Sequence, residues 1–361
     1  MARKLAFDKV LFTTVIVLVG LGLTMVYSAS AAFARDQGHQ YNQFLVKQAM
    51  AAGVGLIAMW VIMHIDYRHL RRPAVIYSLV GVVLFLLTLT LFGPALNNTR
   101  RWLFLGGLSI QPSELAKLAV IPFAAYQIER KLQRDSQRDL LLPIVLVMGL
   151  VASLIILQPD LGTAVLICTA TLLMLFLAGV RWRYFAAGAL VLVPALWALV
   201  YSEPYRRRRM LAFLDPAAEP LDAGYQAHQS LIAVGSGGIL GLGLGESGQK
   251  LFFLPHPHSD FIFSIIAEEL GLLGAAGVLV LFGVLLWRGI RAGWHAPDVL
   301  GRYLAWGLTG VIVIQALIHI SVALSLLPTK GIPLPFVSYG GSSLVVSMTA
   351  CGVILNVSQH G

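Results

Sequence analysis

Long apolar windows, broken by short clusters of charge, proline and glycine, run along almost the whole chain. A hydrocarbon core about 30 Å thick needs about 20 helical residues to cross it. Ten windows approach that size: 10–31, 46–65, 73–93, 111–128, 140–157, 161–180, 184–201, 261–287, 303–327 and 335–357. The fourth and fifth are the least regular, because Glu114 and Lys117 interrupt one and Pro143 opens the other. The first window is long for the apolar core of a signal peptide and more spans follow it, so it reads as a retained anchor. The pattern predicts an all-α polytopic membrane protein of about ten transmembrane helices. A single membrane domain covers 1–361, with one large extramembrane segment at 202–260 between spans seven and eight.

Composition narrows the class further. Hydrophobic residues make up 58% of the 361 positions and charged residues only 12%, against about a quarter charged in ordinary soluble domains. Soluble, disordered and fibrous classes are excluded. Net charge is +9, and the placement of the cations explains it without nucleic acid. With the N-terminus inside, the inner segments hold 15 Lys and Arg and the outer ones 10, five of these in the one long loop. Short loops decide orientation, so both termini are expected in the cytoplasm. Cys168 and Cys351 both lie in apolar runs and imply neither a disulfide framework nor a cysteine metal site. No internal repeat supports an inverted-repeat transporter.

Charged groups within spans cost about 2.5–3.5 kcal/mol on insertion scales, so each is a candidate for function. The set is Glu114, Lys117, Asp160, Asp260, Glu268 and Glu269. Glu114 and Lys117 stand three apart on one helix face and can pair, either as a structural clasp or as part of a site. Asp160 suits a helix cap at the start of the sixth span or a polar lining. Glu268 and Glu269 read as structural pairing residues, about two turns too deep to join Asp260 as a carboxylate pair.

The long loop carries Tyr205-Arg206-Arg207-Arg208-Arg209, four cations that suit phosphate oxygens or lie on the headgroups as an amphipathic face. Glycines at 235–245 permit phosphate cradles or plain tight turns. The densest polar cluster, His256-Pro-His258-Ser259-Asp260, stands directly before an apolar run. It could hold a divalent cation, present Asp260 as a general base, or cap the eighth helix. Finally, Leu327-Pro-Thr-Lys330-Gly-Ile-Pro-Leu-Pro335-Phe-Val-Ser338-Tyr-Gly-Gly-Ser342-Ser343 is too rich in proline and glycine for helix, and is expected to shape a cavity.

These blocks resemble the SEDS family (shape, elongation, division and sporulation), the bacterial cell-wall polymerases of the FtsW and RodA type. The resemblance spans nearly the whole chain: Met25-Val-Tyr-Ser-Ala-Ser30, Arg100-Arg101-Trp102, Gln111-Pro-Ser-Glu114 with Lys117, Asp160-Leu-Gly-Thr-Ala164, Gln229 to Gly238, His258-Ser-Asp260-Phe-Ile-Phe, Glu268-Glu-Leu-Gly271 and Pro335 to Ser343. Gln249 to Pro255 and Pro328-Thr-Lys-Gly331 look closer to the FtsW branch than to RodA. Departures are His256 where the family has Glu, Ser259 where it has Thr, and His319 where FtsW chains commonly have Asn. A metal-binding role for His256 is therefore not inherited.

The resemblance implies a peptidoglycan glycosyltransferase of SEDS-type fold that polymerises lipid II at the outer face of the bacterial cytoplasmic membrane, releasing undecaprenyl diphosphate, for septal synthesis in cell division. Asp260 matches the family's essential aspartate. Substrate-binding residues are expected among Arg101, Glu114, Lys117, Asp160, Lys330, Ser338 and Ser342, with the arginines 206–209 as weaker candidates. Expected partners are a class B penicillin-binding protein transpeptidase, other divisome proteins and membrane lipids. A Mg or Mn ion suits the two diphosphates, though no motif demands it. The alternatives are a RodA-type elongation polymerase, a lipid II flippase and a non-catalytic scaffold.

Overall fold

The computed structural model describes residues 7–36, 42–94, 99–105, 108–131, 137–214, 223–251, 253–255 and 257–361. All ten expected spans are present as helices. They are α1 (Lys9–Asp36), α2 (Gln43–His64), α3 (Pro73–Leu91), α4 (Pro112–Lys131), α5 (Gln137–Leu157), α6 (Leu161–Leu177), α7 (Trp182–Tyr201), α10 (Ile262–His295), α11 (Val299–Ala323) and α12 (Gly341–Ser358). Eight of these are long and apolar enough to cross a membrane. The other two are α6, only 17 residues long, and α4, which carries Glu114 and Lys117 in its first turns. The last span starts later than its apolar window suggests, because Pro335–Tyr339 is loop.

The helix ends gather at two faces. Asp8 pairs with Arg288 at 2.6 Å, and its N–H donates to Ser358 Oγ at the C-terminal end of α12. A 3-10 turn at Tyr67–Arg71 joins this face, with Tyr67 N–H on Asn356 Oδ1. The distribution of Lys and Arg in the sequence leads one to expect this face inside, and it is termed the inner face. The opposite face carries residues 99–105, 108–112, 158–160, 258–260 and 327–342. There a short hairpin, β1 (Leu103–Leu105) with β2 (Leu108–Ile110), stands where the apolar pattern shows nothing but loop. Of the eight long apolar spans, α11 and α12 are the most buried, while α7 lies at the edge with none of its apolar window buried. Exposed Leu190, Val191, Val193 and Trp197 on α7 are what lipid would cover.

The 202–260 segment is more structured than a loop. It holds α8 (Pro204–Leu214) and α9 (Ala223–Ser236), and its glycine-rich part is drawn into a break in α10. At Gly271 the backbone turns left-handed, with φ 66°, a conformation open to glycine. The helical bonds that Leu272 and Leu273 would donate to Glu268 and Glu269 are replaced pairwise. Their N–H groups go to the carbonyls of Gly238 and Ile239, while the Glu268 and Glu269 carbonyls accept from Leu242 and Gly243, all at 2.9–3.2 Å. Irregular backbone survives in a lipid setting when its polar groups are satisfied in this way.

Candidate active site

The Leu327–Gly340 loop is the hub of the outer face. Its prolines at 328, 333 and 335 remove backbone donors and prevent helix, so its carbonyls need side-chain partners. They have them. Gln315 Nε2 on α11 donates to Pro333 O at 2.8 Å, and His319 Nδ1, one turn on, meets Ile332 O at 2.8 Å. Gln48 on α2 clasps the other end, donating to Ser338 O and accepting from Gly340 N–H. Ser338 Oγ accepts from Leu334 N–H and donates to Ser259 O at 2.7 Å, and Tyr339 N–H donates to His258 O. The loop is thereby fastened to the segment that carries Asp260.

Asp260 is half-buried at this junction. The N-cap of α10 is Phe261, so Asp260 sits one residue outside the helix and the capping alternative does not describe it. Its carboxylate faces the loop backbone at Gly331, where a Cβ would stand 3.2 Å from Asp260 Oδ2; glycine leaves that approach open. The neighbouring Lys330 ammonium has no hydrogen bond or ion pair among the described residues, and burial lowers its pKa. Arg209 on α8 donates to Thr329 O at 3.0 Å, so a second cation reaches the same strip. The pieces are a carboxylate, a partnerless ammonium and a guanidinium around one stretch of loop. His256 lies outside the described residues, as does the side chain of Arg206. Among the described residues no three His, Cys, Asp or Glu side chains gather as a metal-binding group.

The other expected residues are drawn to the same hub but are engaged within the protein. Lys117 Nζ lies 2.6 Å from Glu114 Oε2 and 2.7 Å from Gln315 Oε1, and all three are buried. Asp160 caps α6 through Thr163 N–H and also accepts from Gln111, Ser113 and the Thr163 hydroxyl. Arg101 places its guanidinium on the carbonyls of Gln158 and Pro159, fixing the turn before Asp160. Ser342 Oγ accepts from Gln111 N–H and donates to Ser109 O. Gln315 thus connects the Lys117 cluster to the loop, and Gln111 connects the Asp160 cluster to Ser342 in the first turn of α12. Gln48, Gln111 and Gln315 carry no charge, which is why a search for charges within spans passes over them; polar residues in apolar windows are the signal that finds them.

Glu269 is a pairing residue, as expected, whereas Glu268 is held by hydrogen bonds alone among the described residues. Glu268 accepts from the Ser247 hydroxyl and from the N–H groups of Gly248 and Gln249. Glu269 pairs with Lys250 at 2.8 Å and accepts from Ser28 Oγ on α1. Together they clasp the chain that leads to Asp260.

Such a site, a carboxylate and cations at one end of a polytopic helical bundle, belongs to a membrane-embedded protein that handles a polar group at the bilayer surface. The chain belongs to the FtsW/RodA/SpoVE family of cell cycle proteins, whose model matches residues 8–361. It is 40% identical to "Probable peptidoglycan glycosyltransferase FtsW" of Geobacter sp. (strain M18), over 100% of this chain and 99% of that one. It is 42% identical to "Stage V sporulation protein E" of Bacillus subtilis (strain 168), over 99% and 98%. Among solved structures, a chain from a study described as "Structural coordination of polymerization and crosslinking by a peptidoglycan synthase complex" superposes with a TM-score of 0.81 at 32% identity, covering 98% of both chains. The Thermus thermophilus rod shape determining protein RodA superposes at 0.73 and 30% identity, covering 98% of this chain and 97% of that one.

Proposed function

We propose that this multi-pass membrane protein is a peptidoglycan glycosyltransferase that polymerises lipid II at the outer face of the bacterial cytoplasmic membrane, serving septal wall synthesis. The observation that carries the reading is the meeting of Asp260 with the Lys330–Gly331 backbone at the membrane surface. Asp260 accepts the proton of the acceptor sugar's 4-hydroxyl as that oxygen bonds to the donor's anomeric carbon. The bond to the diphosphate breaks, and undecaprenyl diphosphate leaves with the electron pair. Lys330, with Arg209 beside it, faces the charge that develops on the diphosphate, where a preplaced cation contributes most. Ser338 and Ser342 act by holding the loop rather than by offering free hydroxyls. A Mg or Mn ion would arrive on the substrate's diphosphates, since the described residues build no three-ligand cage, and no step above depends on it.

The septal assignment is supported by the FtsW names of the relatives, with RodA-type elongation as the other branch. A class B penicillin-binding protein is the proposed partner, supported by the described setting of the synthase complex chain; other divisome proteins and membrane lipids complete the expected surroundings. A flippase path through Glu114 and Lys117 is disfavoured because these side chains are 3% and 2% exposed and bonded to each other. The deciding experiment supplies lipid II to the purified protein with its cognate transpeptidase. Glycan ladders on a gel are the expected result. No glycan, together with movement of labelled lipid II across liposomes, would replace the polymerase with the flippase.

A further inference from the structure

We propose that Gln315 and His319 are positioning residues for this reaction, holding two consecutive loop carbonyls so that Lys330 and Gly331 stay against Asp260. The inference rests on the polymerase reading above. Residues four apart share a helix face, and this pair points at one strip of loop: Gln315 Nε2 to Pro333 O, His319 Nδ1 to Ile332 O. Both side chains are 1% exposed. Polar groups at such burial are costly unless hydrogen-bonded, so each is there for the bond it makes. Gln315 is fixed in orientation, because its Oε1 accepts from Lys117 while its amide donates to the loop. His319 is fixed in tautomer, because a carbonyl only accepts and Nδ1 must therefore carry the proton.

That tautomer leaves Nε2 as a bare acceptor, and it is buried with no partner among the described residues. The fold carries this cost to keep one N–H on Ile332 O. The anchored carbonyls lie directly after Lys330 and Gly331, and among the described residues these two bonds are the ones that fasten this stretch to side chains of α11. On the far side, Ser338 and Tyr339 are tied to Ser259 and His258. The loop is therefore stretched between α11 and the Asp260 segment, and releasing the α11 end would let Lys330 leave its register without removing any group that touches substrate.

Two readouts test this, neither of which a role in stability alone would move. First, kcat and KM for lipid II polymerisation are measured for His319→Phe, which keeps ring volume without the N–H, and for His319→Asn, whose amide can donate. His319→Phe is expected to lower kcat about tenfold with little change in KM, as misplacement of a reacting group does, and His319→Asn to recover most of it. In a Lys330→Met background the same His319→Phe change is expected to cost less than twofold, because coupled positions are non-additive. Equal losses in both backgrounds, or equal impairment of the Phe and Asn variants, would overturn the proposal. Second, with Cys168 and Cys351 replaced by serine, the rate at which a small thiol reagent labels Lys330→Cys is compared with and without His319→Phe. A several-fold faster rate is expected and an unchanged rate overturns the proposal. Because labelling needs no catalysis, it decides the positioning claim even if wild-type protein makes no glycan, a result that would sink the polymerase reading instead.

Discussion

At the inner face, Asp298 accepts from Tyr67 Oη at 2.9 Å, from Arg68 Nε at 3.3 Å and from Gly301 N–H at 2.8 Å, and lies 3.1 Å from Arg71 Nη2. Arg71 also meets Glu129 at 2.6 Å. Two carboxylates and two guanidiniums answer one another, and burial with the Asp298 contact raises the Tyr67 pKa. At the outer face, Lys330 has a pKa lowered by burial and no counter-ion among the described residues, while Asp260 stays half-exposed against a backbone that offers it no side chain at Gly331. The inner cluster is closed and ties the 3-10 turn, α4 and α11 together. At the outer face the Lys330 ammonium has no anionic partner among the described residues until something anionic arrives. Charge density alone would rank the two alike; the unanswered Lys330 separates site from scaffold.

Variants can break or sharpen that contrast. The largest effect on folding is expected at the most deeply closed pair. Glu114→Gln leaves Lys117 buried without its counter-charge, a loss of about 3–5 kcal/mol, read as a collapse in folded yield by size exclusion. Next, Lys330→Met should lower the polymerisation rate about 100-fold, the usual loss of one charge-stabilising donor, with melting temperature unchanged or raised, since a half-buried, unpaired cation has been removed. Asp298→Ala should do the reverse. Removing the acceptor of Tyr67 and Arg68 and the α11 cap, while Arg71 keeps Glu129, costs about 1–3 kcal/mol, seen as a lower melting temperature, while glycan made per folded molecule stays at the wild-type level.

The smallest effect is a shift in pH profile. A depressed lysine pKa means that the free enzyme loses this cation at a lower pH than an exposed lysine would. The kcat/KM profile, which reports the free enzyme, should therefore fall on its alkaline side below the ordinary lysine range. Lys330→Arg should move that fall to higher pH, and an unmoved limb would remove Lys330 from the site.

Much of the architecture was legible because a span is a local property: about 20 apolar residues declare themselves without knowledge of their neighbours. Asp260 was legible for a similar reason, as a carboxylate where loop meets apolar run. The hairpin at 103–110, the break at Gly271 and the clasp of Lys250 on Glu269 were not, since each depends on a partner distant in the chain. Glu114 and Lys117 show the intermediate case. Their spacing revealed the pair, but only the packing of α11 revealed Gln315 between them and the loop. Arg101 was legible as a cation and not as a turn anchor, because its acceptors are backbone carbonyls 57 and 58 residues away.

The central claim is that Asp260 performs the chemistry rather than supporting the fold. The most direct measurement is glycan synthesis from lipid II by the Asp260→Asn protein in complex with its transpeptidase, scored per folded molecule beside wild type. Asn keeps the shape and removes the charge and basicity. The account predicts a ladder weaker by about 100-fold or more, the contribution of a positioned general base, at an unchanged melting temperature. A ladder equal to that of wild type would contradict it.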